Sequence, residues 1–301
     1  MVKINASDIY ITVDAPPMFR VEGITSPWGD RRYTPEETEA LASSVMSQSQ
    51  RAYFSRRLEM DLAISYPNLG RFRVNLFRQR GFYGLVFRQI KLHINTIDDL
   101  GLPQIFKNLA MTTRGLVVVA GRTGSGKSTT LAAIIDHRNT NAPGHIVTVE
   151  DPIEFVHFHK MSIVTQREIG IDTHGYASAL KHTLRQAPDV ILIGEIRDME
   201  TMAAAIDYAE TGHLCLGTLH ANNANQAIER IMNFFPPERH MQIYLQLSLN
   251  LKAIISQRLI PSVDGTRVAA VEILLDSPRV KDFIHKAEID TLKEAIAQFT
   301  L

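Results

Sequence analysis

Gly121-Arg122-Thr123-Gly124-Ser125-Gly126-Lys127-Ser128 completes the pattern G-x-x-x-x-G-K-[S/T]. Glycines at these spacings let backbone N–H groups converge on phosphate oxygens, and a helix opening just after them adds a favourable dipole. Gly121, Thr123, Gly124, Ser125, Gly126, Lys127, Ser128 and Thr129 are the candidate nucleotide contacts. Lys127 is placed to reach the β- and γ-phosphates, and Ser128 to ligate Mg2+ through its hydroxyl. The apolar run Leu116–Ala120 precedes the pattern, and a helical stretch, Thr129–Ile135, follows it. In that strand–loop–helix setting nucleotide binding is expected, not a ligand-free glycine turn.

Transfer of a phosphoryl group needs a carboxylate near the metal and a group that orients or deprotonates the attacking water. Glu195 follows the apolar run Val190–Ile193 and Gly194, which suits the metal-side role. Asp189 precedes that run, at the wrong end. The segment Val149-Glu150-Asp151-Pro152-Ile153-Glu154 offers further acids beyond the strand Ile146–Val149. Pro152 biases Asp151 toward extended conformations. Glu150 at the strand end and Glu154 past the turn can each face a nucleotide, and spacing does not choose between them. His213 and His220 bracket the strand Leu214–Thr218. His157 and His159 share a face if extended and lack a third ligand, so they read as a solvated edge.

Elements must position these groups. From about Gln104 onward, near-continuous apolar strands alternate with helical stretches, which predicts a parallel sheet covered on both faces. Cys215, the single cysteine, reads as a core residue there and excludes internal disulfides and Cys-based zinc sites. Residues 1–97 read as a smaller α+β domain, with strands at Ser7–Thr12 and Met18–Ile24 and helices at Pro35–Met46 and about Gln48–Leu58. Arg71–Leu76 alternates, with Phe72, Val74 and Leu76 on one face and Arg71, Arg73 and Asn75 on the other. Tyr83–Ile90 is its expected partner strand. Residues 98–103 are read as a linker and 104–301 as the second domain. The chain carries 32 Lys+Arg and 32 Asp+Glu, and this zero net charge argues against nucleic acid as a partner. No apolar run is long enough for a signal peptide or a membrane span, so a cytoplasmic protein is expected.

The segments GRTGSGKSTTLAAIID, TVEDPIEF, LIGEIRDMET and AETGHLCLGTLHANNA resemble, in order, the Walker A, Asp box, Walker B and His box of the secretion ATPase superfamily. The chain looks most like type IV pilus retraction ATPases of the PilT and PilU kind. The resemblance implies an N-terminal PAS-like α+β domain and a C-terminal RecA-like α/β ATPase domain, assembled as a homo-hexamer. It implies ATP and Mg2+ as substrate and metal, and turnover that withdraws pilin from the fibre for twitching motility. It places the catalytic Glu at Glu154, the Walker B Glu at Glu195 and the His-box histidines at His213 and His220. It also implies that Arg71, Arg73 and Arg88 are sent toward the phosphates.

Lacking a four-cysteine motif, the chain looks like the retraction branch. Leu184-Arg185-Gln186-Ala187-Pro188-Asp189 lacks the acid that PilT-like chains place before the proline, and Ser277–His285 departs from their Ala-Ile-Arg segment. Both departures, with HANNANQAIERI, look like the accessory PilU type. A PilT-type ATPase and an inner-membrane pilus platform protein are then expected partners, at the cytoplasmic face of the inner membrane. The alternative is a nucleotide-gated adaptor with little motor activity of its own. Relatives usually continue past Leu301, so the extreme C-terminal helices are expected to be missing.

Overall fold

The computed structural model describes residues 1–66, 69–90, 92–262 and 267–297, the side chain of Ala297 excepted. Two compact units, residues 1–92 and 93–301, carry one sheet each.

In the first unit, β1 (Asp8–Ile11), β2 (Met18–Val21), β3 (Ile24–Pro27), α1 (Pro35–Val45), α2 (Gln48–Arg57), β4 (Glu59–Tyr66), β5 (Gly70–Gln79) and β6 (Phe82–Ile90) follow in order. The strands form an antiparallel sheet in the order β3-β2-β1-β6-β5-β4. The stretch Met18–Ile24 is therefore not one strand. Glu22 and Gly23 both take positive φ, 49° and 85°, and close a two-residue hairpin whose twist matches the flanking strands. Thr34 caps α1 and Ser47 caps α2, each through a reciprocal capping box. Phe72, Val74 and Leu76 are buried while Arg71, Arg73 and Asn75 are half-exposed, as the alternation of β5 predicts. Val74 and Leu76 join Ala42 of α1 and Phe54 of α2 in this unit's core.

The second unit runs α3 (Ile105–Met111), β7 (Gly115–Ala120), α4 (Lys127–Asn141), β8 (Gly144–Glu150), β9 (Ser162–Glu168), α5 (Tyr176–Thr183), β10 (Val190–Ile193), α6 (Met199–Glu210), β11 (Leu214–Leu219), α7 (Ala224–Met232), α8 (His240–Asn250), β12 (Leu251–Pro261), β13 (Arg267–Leu275), α9 (Pro278–His285) and α10 (Leu292–Ala297). Its sheet has the order β13-β12-β7-β11-β10-β8-β9, parallel except for β13. Every residue of β7 and β11 is buried. Alternate side chains feed two cores. Leu116, Val118, Ile191, Ile193 and Cys215 pack with the side chains of α5, α6, α7 and α8. Val117, Val119, Leu192, Leu214 and Leu216 pack on the opposite face with Phe106 of α3 and with Leu131 and Ile134 of α4. Burial of each such branched side chain contributes about 1.5–3 kcal/mol, and the sandwiching fixes every strand end in space. Ile97 and Leu102 also belong to this second core.

Candidate functional site

Four parallel strands end at the same edge of the sheet, where open α/β sheets bind ligands. β7 runs into the glycine loop, β8 into the acidic segment, β10 into Gly194-Glu195 and β11 into His220. Together they line a cleft of about 360 Å³ that includes Thr123, Gly124, Gly126, Lys127, Ser128 and Thr129.

The loop is held from beneath by a residue that sequence reasoning missed. Gln257 on β12 is buried, donates from Nε2 to Ser125 O at 2.9 Å and accepts from Thr130 Oγ1 at 2.7 Å. Gly126 lies at φ 87°, and a Cβ there would come within 2.7 Å of Gln257 Nε2, so a side chain is excluded twice over. The polar pair Ser256-Gln257 directly after the apolar run Ala253–Ile255 of β12 was the available signal.

Lys127 is buried and donates to Gly121 O at 2.9 Å and Arg122 O at 3.0 Å. Desolvation pushes its ammonium below the ordinary value, against the pull of the Glu195 and Glu154 charges. Ser128 Oγ donates to Glu154 Oε1 at 2.9 Å. Glu195 Oε1 lies 3.1 Å from His220 Nε2. Gly194 lets the chain after β10 run close against β8, since a Cβ there would come within 3.1 Å of Glu150 Cα and 3.2 Å of Val149 O. Gly194 N–H donates to Val149 O at 2.8 Å, and Ile196 N–H donates to Thr218 O at 2.8 Å, so Glu195 is stitched between β8 and β11.

The three acids after β8 part company. Glu154 is exposed and faces Ser128. Asp151 pairs at 3.9 Å with Arg197. Glu150 turns inward, and burial pushes its carboxyl up to about 7 although Thr148 and Gln166 donate to it. The charges of Glu154 and Glu168 push in the same direction as burial. Of the two glutamates that spacing left open, Glu154 is the one beside the loop serine.

The two His-box histidines stand apart, and another histidine expectation needs correction. His213 sits before β11, at the end of the sheet opposite His220, as histidines that bracket the strand must. It bonds there through Nδ1 with Tyr208 O at 3.2 Å and Thr211 Oγ1 at 3.1 Å. Six extended residues separate the two histidines, a span of about 20 Å. His157 is not a solvated edge: it is 7% exposed and lines the cleft. Burial pushes its imidazole down to about 4, and Nδ1 has no hydrogen-bond partner among the described residues. His159 is exposed and accepts from Val164 N–H at 3.1 Å.

Arg71, Arg73 and Arg88 belong to the first unit. Arg73 pairs with Asp61 at 3.3 Å and Arg88 with Asp8 at 2.8 Å, and Arg73 and Arg88 are cross-strand partners. Arg71 is half-exposed on the same strand face of β5. Leu259 and Arg267, which sequence reasoning also missed, line the second unit's cleft from β12 and β13.

The donor set fits a phosphorylated ligand with a hard divalent cation. The Ser125 hydroxyl is buried inside the loop with no partner among the described residues, beside an ammonium. Ser128 and Glu195 are oxygen donors. No group of three or more His, Cys, Asp or Glu among the described residues could hold a metal. Mg2+ suits such a site, because it takes one or two protein oxygens and completes its shell with phosphate and water.

The family model described as "Type II/IV secretion system protein" matches residues 1–288. The chain is 52% identical to the type IV pilus ATPase PilU of Pseudomonas aeruginosa over 301 residues, covering 100% of this chain and 79% of that one. It is 42% identical to the type IV pilus retraction ATPase PilT of the same organism, covering 98% and 86%. A crystal structure of the pilus retraction motor PilT with bound ADP superimposes with a TM-score of 0.94 at 43% identity, covering 99% of this chain and 87% of that one. With its P-loop-like edge, its paired acids and these full-length similarities, the chain belongs to the type II/IV secretion system proteins, among the type IV pilus ATPases of the PilT and PilU kind.

Proposed function

We propose that this protein is a Mg2+-dependent ATP hydrolase that powers type IV pilus retraction, as the accessory PilU-type partner of a PilT-type motor. The observation that carries the reading is the convergence of Ser128 with Glu154, and of Glu195 with His220, around Lys127. In this reading the loop N–H groups, Ser125 and Lys127 hold the phosphates, and Ser128 and Glu195 hold the metal. Mg2+ held by these two residues would supply charge neutralisation at the phosphoryl group. Glu154 orients and deprotonates the attacking water, while His220 fixes the Glu195 carboxylate. Arg71, Arg73 and Arg88 stabilise phosphoryl charge, a role supported by the resemblance and by the arginine-bearing face of β5.

The first unit is the PAS-like domain and the second the RecA-like domain of a homo-hexamer. No described helix is long and apolar enough to cross a membrane. Peripheral docking on an inner-membrane platform protein from the cytoplasmic side belongs to the same reading and is supported by the resemblance. The test is ATP turnover with Mg2+: Lys127→Ala abolishes it, and turnover unchanged by that substitution would sink the reading.

A second reading is a nucleotide-gated adaptor with little motor activity. The higher identity to PilU than to PilT favours it. Measuring pilus retraction with and without a PilT-type partner separates the two; full retraction in the partner's absence excludes the adaptor.

A further inference from the structure

Glu154 stands on a segment without helix or regular strand between β8 and β9, yet its carboxylate meets Ser128 at 2.9 Å. Its own side chains Ile153, Phe155 and His157 are buried, and side chains outside the segment also hold it. Gln166, opposite Thr148 in the β8–β9 register, reaches over it. Its Oε1 accepts from His157 N–H at 2.8 Å. Its Nε2 donates to Phe155 O at 2.9 Å and to Glu150 Oε1 at 3.2 Å. A backbone N–H can only donate and a backbone carbonyl can only accept, so the amide has a single sensible orientation. These bonds hold the chain before Glu154, at Glu150, and after it, at Phe155 and His157. Ile153 N–H is held as well, by Glu168 Oε2 at 3.4 Å.

We propose that Gln166 is a positioning residue for hydrolysis, clamping the Glu154-bearing segment from the edge strand β9. The proposal rests on the reading of Glu154 as the water-orienting acid. A displacement of about 1 Å at such a group costs on the order of 100-fold in rate. An edge-strand amide spanning both flanks of the segment is suited to prevent it.

The clamp's chemistry gives a test that simple loss of structure does not mimic. A glutamate at position 166 keeps the acceptor, and when protonated it also keeps one donor. When ionised it faces Phe155 O and Glu150 with no donor at all. The titratable groups around it are Glu150 on β8, Glu168 on β9, Glu154 and His157 on the segment, and, against His157, Asp136 of α4 and Lys160. The carboxylates among them hold a new one protonated to higher pH.

Steady-state ATP hydrolysis is measured from pH 5.5 to 8.5 for wild type, Gln166→Glu and Gln166→Ala, with Kd for a non-hydrolysable ATP analogue and hydrogen exchange over residues 150–158. Gln166→Ala is expected to lose about 10- to 100-fold in kcat at every pH with Kd changed less than about 3-fold, and to speed exchange at His157 but not in α4. Gln166→Glu is expected to approach wild type at the acid end and to fall toward Gln166→Ala as pH rises, each rate read as a ratio to wild type. An active wild type with an equally active Gln166→Ala overturns the inference alone, as does a pH-independent ratio for Gln166→Glu. A wild type that hydrolyses no ATP overturns the enzymatic reading and the catalytic clause together, and unchanged exchange at His157 then removes the clamp as well.

Discussion

His213 and His220 flank one strand, β11, and end in different surroundings. Before the strand, His213 is bonded with Tyr208 O and Thr211 Oγ1. Nearby on the same edge, Asp189 accepts from His145 N–H at 2.7 Å and packs against Gly144. These groups are partnered within the protein itself, by backbone and by the Thr211 hydroxyl. After the strand, His220 meets Glu195, Glu154 meets Ser128, and both carboxylates act on Lys127. Those groups sit in a cleft with oxygen donors and a cation available to a ligand. A parallel sheet points all its strand ends one way, so residue type says little until the edge is known.

The contrast can be broken most sharply at the acids. Glu154→Gln is expected to lower kcat by about 10²- to 10⁴-fold with nucleotide affinity retained, whereas Glu150→Gln stays within about 10-fold. Equal losses in the two variants would show that spatial proximity to Ser128 was the wrong criterion. At the histidines, His220→Ala is expected to cost about 10- to 100-fold in kcat and His213→Ala less than about 3-fold. A matching loss in His213→Ala would erase the distinction between the edges.

Glycines sharpen it further. Gly194→Ala pushes a Cβ against Glu150 Cα and is expected to cost about 1–3 kcal/mol together with hydrolysis. Gly144→Ala meets the Asp189 carboxylate at the other edge and is expected to lower Tm while sparing kcat.

The smallest effect is a pH dependence. Glu150 binds its proton more tightly folded, at about 7, than its ordinary value of 4.5. The native state therefore carries more protons between those values, and this group's destabilisation grows as pH rises through them and is full above 7. The ceiling is about 3 kcal/mol, and relaxation of the site reduces the expected effect to about 1 kcal/mol. Glu150→Gln should raise Tm at pH 8 and leave it unchanged below pH 4.5; thermal melts at both pH values decide.

The glycine loop was legible because a phosphate cradle is contiguous in the chain, and Glu195 because a buried strand announces its own end. The choice of Glu154 over Glu150 was not, because it depends on Ser128, 26 residues away. Gln257 was further out of reach, holding a loop residue 132 positions earlier. His157 misled by local pattern: alternation with His159 reads as an edge, but the segment is irregular and His157 is buried. In the first unit, the alternation of β5 was plain, while the hairpin at Glu22-Gly23 hid because Met18–Ile24 has strand-like residues on both sides of the turn.

Cys215 lies in the middle of the sheet, wholly buried, and burial pushes its thiol well above the ordinary range. It therefore stays a thiol, not a thiolate, and reacts poorly with maleimides or methanethiosulfonates. The chain thus comes with a silent background for site-directed labelling. A pair of cysteines introduced at the exposed positions Ser49 and Glu238 would carry both probes of a spin- or fluorescence-distance measurement, one on each unit, with Cys215 left in place.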